Sequence, residues 1–276
     1  MPTMRLQHIE PHHLLKGYVE KLWVFESNGR VPNGDLKLIV PNGCIKLVIP
    51  FRNGLSGKIN EWYHLSKENS ITLIGMTDVP SIVDVETNSP SGTIGIQFSP
   101  MGAYRFFNIK QSEIKNQIHP LTDILGIAAK ALEEQISNVE SLNGKIHLIQ
   151  QFLLKQLMRR DGDDVFDFCI QKITQTRGKI LIRELERETG FSSRWLNIKF
   201  QEKVGISPKN LSSIIRFQQF YQALTKSNES NFFKNEFYDY YYDQSHFIKD
   251  FKRFTGFPPA KFTLTENEFG RIFYKD

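Results

Sequence analysis

The stretch Tyr240–Pro259 reads YYYDQSHFIKDFKRFTGFPP, with phenylalanines at 247, 251 and 254 set among polar and basic residues. Positions spaced i, i+4 and i+7 share one face of an α-helix, so these rings predict a buried stripe. Gln244, Ser245, Ile248, Lys249 and Lys252 then fall on the outward side. Asp243 suits the helix start, and Gly256 followed by apolar Phe257 suits a left-handed stop with its hydrophobic contact. A related stretch lies upstream, GFSSRWLNIKFQEKVGISP from Gly190 to Pro208. Phe200, Gly205 and Pro208 precede Phe251, Gly256 and Pro259 by 51 positions each. There Ser192 caps, Leu196, Phe200 and Val204 face inward, and Ser193, Arg194, Asn197, Ile198 and Gln201 face outward. Matching caps, stops and stripes predict a duplicated supersecondary unit rather than two unrelated amphipathic helices.

The flanking residues extend the same plan. Ile182–Gly190 predicts a short helix before the first copy, and Phe232–Tyr240 predicts one before the second. Ser207-Pro208 opens a longer helix, Lys209 to about Thr225, whose broad apolar face includes Leu211, Ile214, Phe217, Phe220, Tyr221 and Leu224. A short helix, a tight turn and a second helix with hydrogen-bonding residues at its exposed start is the layout of a helix-turn-helix. Such a second helix fits the DNA major groove, where Arg can read guanine and Asn or Gln can read adenine. Charge agrees in direction. Residues 1–177 hold 19 Lys/Arg against 18 Asp/Glu, whereas residues 178–276 hold 16 against 12, which places most of the net +5 on the duplicated part.

Residues of roughly 166 to 262 resemble the carboxyl-terminal DNA-binding domain of the AraC/XylS family of bacterial transcription regulators. The resemblance rests on GFSSRWLNIKF with VGISPK in the first unit and DQSHFIKDFKRFTGFPPAKF in the second. It implies two helix-turn-helix units joined by a long helix. It also implies base reading by helices 193–203 and 244–254, through Arg194, Asn197 and Ile198 and through Gln244, Ser245, Ile248 and Lys249. Periodicity independently adds Ser193 and Gln201 to the outward set. Lys179, Lys203, Lys209, Lys252 and Arg253 are expected to meet phosphates. The chain departs from the family where Ile198 replaces a basic residue, which suits either a thymine methyl contact or a smaller contribution of the first unit to affinity. It departs again at Tyr240–Tyr242, where a turn glycine is usual, and at Glu236 or Phe237, where a small apolar residue is usual.

The first hundred residues predict strands at LWVFES (Leu22), KLIV (Lys37), IKLVIPF (Ile45), ITLIG (Ile71), IVDVE (Ile82) and TIGIQF (Thr93), separated by turns such as Pro41-Asn42-Gly43. Six short strands suggest an antiparallel sandwich or small barrel. Ser99-Pro100 predicts a helix start, and Leu121–Ile136 and Lys145–Arg160 predict amphipathic helices. The expected fold is therefore an α+β amino-terminal domain followed by an all-α domain with two helix-turn-helix units. The expected division is 1–126 for a β-rich regulatory domain and 127–164 for a helical linker or dimerisation segment. Residues 165–264 would form the DNA-binding domain and 265–276 a tail, with RRDGDD (159–164) as the boundary. VEKLWVFES, PNGCIKLVIPF and GIQFSPMGAYRFFNI resemble a domain that precedes such DNA-binding modules in some regulators, which implies a sensory role without naming an effector.

The resemblance implies double-stranded promoter DNA as partner, with RNA polymerase, a small-molecule effector and a second copy of the chain as further candidates. Neither a cofactor nor a metal is expected, and the chain is not expected to be an enzyme. No apolar run approaches the roughly 18 residues of a membrane span, and MPTMRLQHIEPHH lacks an export signal, which together suit the cytoplasm. Cys44 and Cys169 suit buried thiols. The alternative is a cupin-like metal-dependent enzyme or sensor fused to a DNA-binding module. His8-Ile9-Glu10 has suitable local spacing for metal ligands, with His12, His13 or His64 as a third, but His8 precedes the first expected strand. Trp23, Phe51, Trp62 and Tyr63 are candidates to line a ligand pocket.

Overall fold

The computed structural model describes residues 4–29, 35–85, 90–157, 162–226, 239–262 and 267–274. Most of the expected Phe232–Tyr240 helix and part of the 159–164 boundary lie outside the described residues.

The amino-terminal half is built from β1 (Met4–Ile9), β2 (Val19–Ser27), β3 (Leu38–Ile39), β4 (Lys46–Arg52), β5 (Leu55–Ile59), β6 (Trp62–Ser66), β7 (Thr72–Ile74), β8 (Ser81–Val85), β9 (Ser91–Phe98) and β10 (Ile118–Pro120). They make a six-stranded sheet, ordered β1-β2-β9-β4-β7-β10, and a four-stranded sheet, ordered β3-β8-β5-β6. Every pairing is antiparallel. Strand alternation sorts the large sheet into two faces. Leu22, Val24, Leu47, Ile49, Leu73, Ile94 and Ile96 join the main core with the helices. Trp23, Phe25 and Val48 turn the other way and form a second cluster with Phe269.

The six expected strands are present, and β1, β5, β6 and β10 join them. The four additional strands read MRLQHI, LSGKI, WYHLS and IHP, too short or too polar to show alternation. His8 consequently lies on a strand, not before one. The helix expected at Ser99-Pro100 does not start there. Ser99 instead donates its amide to the Tyr18 carbonyl at 2.9 Å and its hydroxyl to Gly17 at 3.1 Å, tying down the end of β9. Only one turn of helix follows, α1 (Ala103–Phe106).

The helices continue with α2 (Leu121–Leu125) and α3 (Ile127–Ser137), which Gly126 at φ +55 divides where one helix was expected. Next come α4 (Leu142–Leu157), α5 (Asp164–Gln175), α6 (Ile182–Thr189), α7 (Ser193–Lys203), α8 (Pro208–Lys226), α9 (Gln244–Thr255) and α10 (Glu268–Ile272). The 19-residue α8 buries Leu211, Ile214, Phe217, Phe220, Tyr221 and Leu224, the face that the sequence assigned to it. The Gln218 side-chain amide donates to the Pro41 carbonyl, so α8 also seats against the sheet domain.

Candidate nucleic-acid interface

In the first unit α6 ends at Gly190 in the left-handed conformation, φ +74, where a side chain would be strained. The chain reverses and Ser192 caps α7, its hydroxyl accepting the Trp195 amide at 3.3 Å. Glu186 of α6 accepts the Ser193 amide at 2.5 Å, which fixes the turn between the helices. Leu196, Phe200 and Val204 are buried, with Phe200 packed edge-on to Phe166 of α5 at 5.1 Å.

In the second unit Asp243 caps α9 by accepting the His246 amide at 2.8 Å, and Gly256 ends it at φ +82. Phe247 and Phe251 lie 4.9 and 6.2 Å from Phe220, and Phe254 lies 5.0 Å from Phe217. The second groove-reading candidate thus packs on the aromatic face of α8, and the first packs on Phe166 of α5. Apolar burial of rings of this size contributes roughly 1.5–3 kcal/mol apiece.

Arg194, Asn197, Ile198 and Gln201 are exposed on α7, and Gln244, Ser245, Ile248 and Lys249 are exposed on α9. Ser193 is half-buried. Ile198 is 59% exposed, an aliphatic side chain facing outward between the buried Leu196 and Phe200. The tyrosine run divides three ways. Tyr241 is buried beneath the Arg216 guanidinium at 5.0 Å, Tyr240 packs on Phe220 at 5.9 Å, and Tyr242 is 99% exposed.

The five cationic candidates divide as well. Lys209 and Lys252 are exposed. Lys179 donates to the Asp239 carbonyl at 2.8 Å, linking the α5–α6 turn to the start of the second unit. Lys203 is bound within the fold, with Asp163 at 3.2 Å and the Tyr104 ring 4.0 Å below its ammonium, and its side chain is 15% exposed. Arg253 reaches Asp78 of the sheet domain at 2.6 Å. Asp78 also accepts from Lys115 at 2.7 Å and from Asn116 at 2.7 Å. Burial pushes the Asp78 carboxyl up, but these hydrogen bonds and the charges of Lys115 and Arg253 outweigh it and hold it below the ordinary carboxylate value. Sequence reasoning missed Asp78, because no local pattern announces a carboxylate paired 175 positions away.

The sheet domain encloses a cavity of about 80 Å³ whose lining includes Trp23, Lys46, Gln97, Phe269 and Phe273. His8 and His64 also line it, but Glu10 pairs with Lys16 at 2.9 Å, and His12 stacks on His13 at 4.3 Å in a 3-10 turn. Among the described residues no three of His, Cys, Asp and Glu converge as metal ligands would. Of the aromatic pocket candidates Trp23 lines this cavity, whereas Trp62 and Tyr63 are exposed. Cys44 and Cys169 are free and buried. The Cys44 thiol donates to Glu20 at 2.7 Å.

Residues 7–120 match the model of a family described as a domain of unknown function, DUF6597. No curated protein matches the sequence. Among solved structures the chain is similar to ToxT from Vibrio cholerae O395, at 14% identity and a TM-score of 0.43 over 94% of this chain and 96% of that one. ToxT bound to (E)-4-(8-methylnaphthalen-1-yl)but-3-enoic acid matches at 13% identity and a TM-score of 0.44, over 96% of this chain and 99% of that one. The cupin domain of an XRE family transcriptional regulator from Enterobacter cloacae matches at 14% identity and a TM-score of 0.28. It covers 34% of this chain and 94% of that one. At these values the likeness assigns no residue a role.

Proposed function

We propose that this chain is a sequence-specific DNA-binding transcription regulator of the AraC/XylS type. Helices α7 and α9 read two adjacent major-groove segments, with Arg194, Asn197, Ile198 and Gln201 on one and Gln244, Ser245, Ile248 and Lys249 on the other. One observation carries the reading. Two helices of the same plan bury their apolar stripes, Leu196, Phe200 and Val204 on α7 and Phe247, Phe251 and Phe254 on α9, and leave hydrogen-bonding side chains exposed at capped amino ends. A surface built only for solubility has no reason to repeat that arrangement with matched caps and stops.

In this reading Lys209 and Lys252 meet phosphates, and the two helices lie about one DNA turn, roughly 34 Å, apart. The sheet domain, 1–126 in the expected division, senses a small molecule. The 127–164 segment supports self-association through the α3–α4 face, where Ala128, Ala131, Leu148 and Phe152 border a groove and Ile127 is 87% exposed. Among the described residues no helix is long and apolar enough to cross a membrane, which is compatible with a place in the cytoplasm beside promoter DNA and RNA polymerase.

The deciding experiment presents sheared genomic DNA to the purified protein and sequences what it retains. The reading expects enrichment of fragments sharing a bipartite site. Retention no more selective than that of Arg194→Ala/Gln244→Ala would overturn it. A metal-dependent enzyme would show stoichiometric iron or zinc in the purified protein and no such enrichment.

A further inference from the structure

The segment Asn267–Tyr274 follows the groove-reading unit in sequence yet seats on the sheet domain. Asn267 is wholly buried, and its side-chain amide brackets Leu38 of β3. It accepts the Leu38 amide at 2.8 Å and donates to the Leu38 carbonyl at 2.9 Å, as a neighbouring strand would. Asp35 accepts the Phe269 amide at 2.9 Å, and the Tyr274 hydroxyl donates to Val40 at 2.8 Å. A Cβ on Gly270 would stand 2.2 Å from the Leu38 carbonyl oxygen, so the approach is open only to glycine. Phe269 then packs on Phe25 at 5.5 Å, and Phe273 packs on Trp23 at 5.2 Å, both on the cavity side of the large sheet.

The other end of the segment is fastened to the DNA-binding half. The Tyr274 carbonyl accepts from Thr225 of α8 at 3.2 Å, and its ring lies edge-on to Tyr221 at 5.1 Å. Asn267 donates to the Tyr221 hydroxyl at 3.4 Å. One short segment therefore lines the cavity with Phe269, Phe273 and Tyr274 and grips α8, which touches both candidate readers.

The remaining cavity, about 80 Å³, is far below the roughly 300 Å³ at which sites for drug-sized molecules begin. Its polar end carries two lysines beside the Glu20 carboxylate, which accepts the Gln97 side-chain amide at 3.1 Å. Lys46 makes no ion pair among the described residues, and Lys21 and Gln97 lie on the same lining. Burial lowers the Lys46 ammonium's pKa, against the neighbouring charge of Glu20, so an incoming anion or acceptor would gain a desolvated partner.

We propose that Phe269 and Phe273 act as a built-in ligand of the sheet domain. A small molecule with an apolar body and an anionic or acceptor end takes their place, and in doing so detaches Asn267–Tyr274 from β3 and from α8. The inference rests on the regulator reading and supplies its effector site and its transmission route. Because occupant and segment exclude one another, the molecule loosens the segment and the segment weakens the molecule by the same factor.

The test uses full-length protein and 1-anilinonaphthalene-8-sulfonate, an apolar fluorescent anion, as probe. Phe269→Ala/Phe273→Ala is expected to bind one equivalent at least about tenfold more tightly than the unsubstituted protein. In the unsubstituted protein, saturating probe is expected to speed amide exchange at 267–274 and at Leu38, and to leave Ile94 and Ile96 protected. Equal affinity in the two proteins, or unchanged exchange at 267–274 on saturation, would overturn the proposal. If the double variant fails to fold, the exchange measurement on the unsubstituted protein decides alone. Retention of genomic DNA by the unsubstituted protein is scored separately. Its absence would remove the regulator reading, whereas unchanged exchange would remove only the built-in ligand.

Discussion

Arg253, one helical turn beyond Lys249 on α9, lies 2.6 Å from Asp78 of the sheet domain. The pair joins the outermost helix of one half to a loop of the other, with the Asp78 side chain 5% exposed and that of Arg253 35% exposed. Removing one member of a buried pair strands the other, at about 3–5 kcal/mol, but solvent reaches Arg253 and screens part of this. Asp78→Asn is expected to cost about 1–3 kcal/mol, read as a lower urea midpoint. An unchanged midpoint would demote the pair to a surface contact.

The same carboxylate gives a pH signature. Its value is depressed in the fold, so its contribution is full above the unfolded value near ~4 and drains away as pH falls through the lower folded value. The stability difference between the unsubstituted protein and Asp78→Asn should narrow between about pH 4 and pH 2. A difference that stays constant across that range would contradict the assignment.

Base reading and phosphate contact leave different marks. Arg194→Ala should cost about 1–3 kcal/mol and relax preference at one site position. Lys252→Ala should weaken all sequences alike and lower the salt slope by about one unit. Lys203→Ala should behave differently again, losing stability with little change in salt slope, because its ammonium is already held by Asp163. Binding isotherms at several salt concentrations on a matched and a single-mismatch duplex separate the three.

Phe251 is completely buried and lies 5.8 Å from Phe217 and 5.4 Å from Phe262. Phe251→Ala should cost about 3–5 kcal/mol, and Phe251→Leu appreciably less, by thermal or urea unfolding. Equal losses would mean that the site collapses freely around either side chain.

Both thiols should resist modification while the protein is folded. Burial raises Cys169 to about 11, and burial together with the Glu20 carboxylate raises Cys44 well above its ordinary value. Ellman's reagent at neutral pH is expected to react only as fast as the protein opens, and both sulfurs should titrate at once in urea. Rapid reaction of either thiol in the native state would point to a local opening absent from this packing.

The helical half was legible because its evidence is local. The Ser192 and Asp243 caps, the Gly205 and Gly256 stops and the spacing of Phe247, Phe251 and Phe254 all act within one or two turns, where a 3.6-residue period shows itself. The outward positions of Arg194, Asn197 and Gln244 followed from the same period. The sheet half was legible where short β-branched, apolar runs lie between turns, as in Thr93–Phe98 with Ile94, Ile96 and Phe98 alternating. Edge strands such as β1 and β6 face solvent on one side, and β10 is only three residues long, so their pattern is too thin to read. Long-range pairs were invisible. Neither Asp78 with Arg253 nor Asn267 with Leu38 has any signature short of the folded chain.

Helix α8 also seats on the sheet domain, with Gln218 reaching the Pro41 carbonyl and the Gly43 backbone close to Leu211. A fragment cut near residue 165 would carry that flank of α8 naked into water. Such a fragment should be sticky and prone to clump, and grafting it onto a foreign sensor would demand a replacement cover for the bared strip.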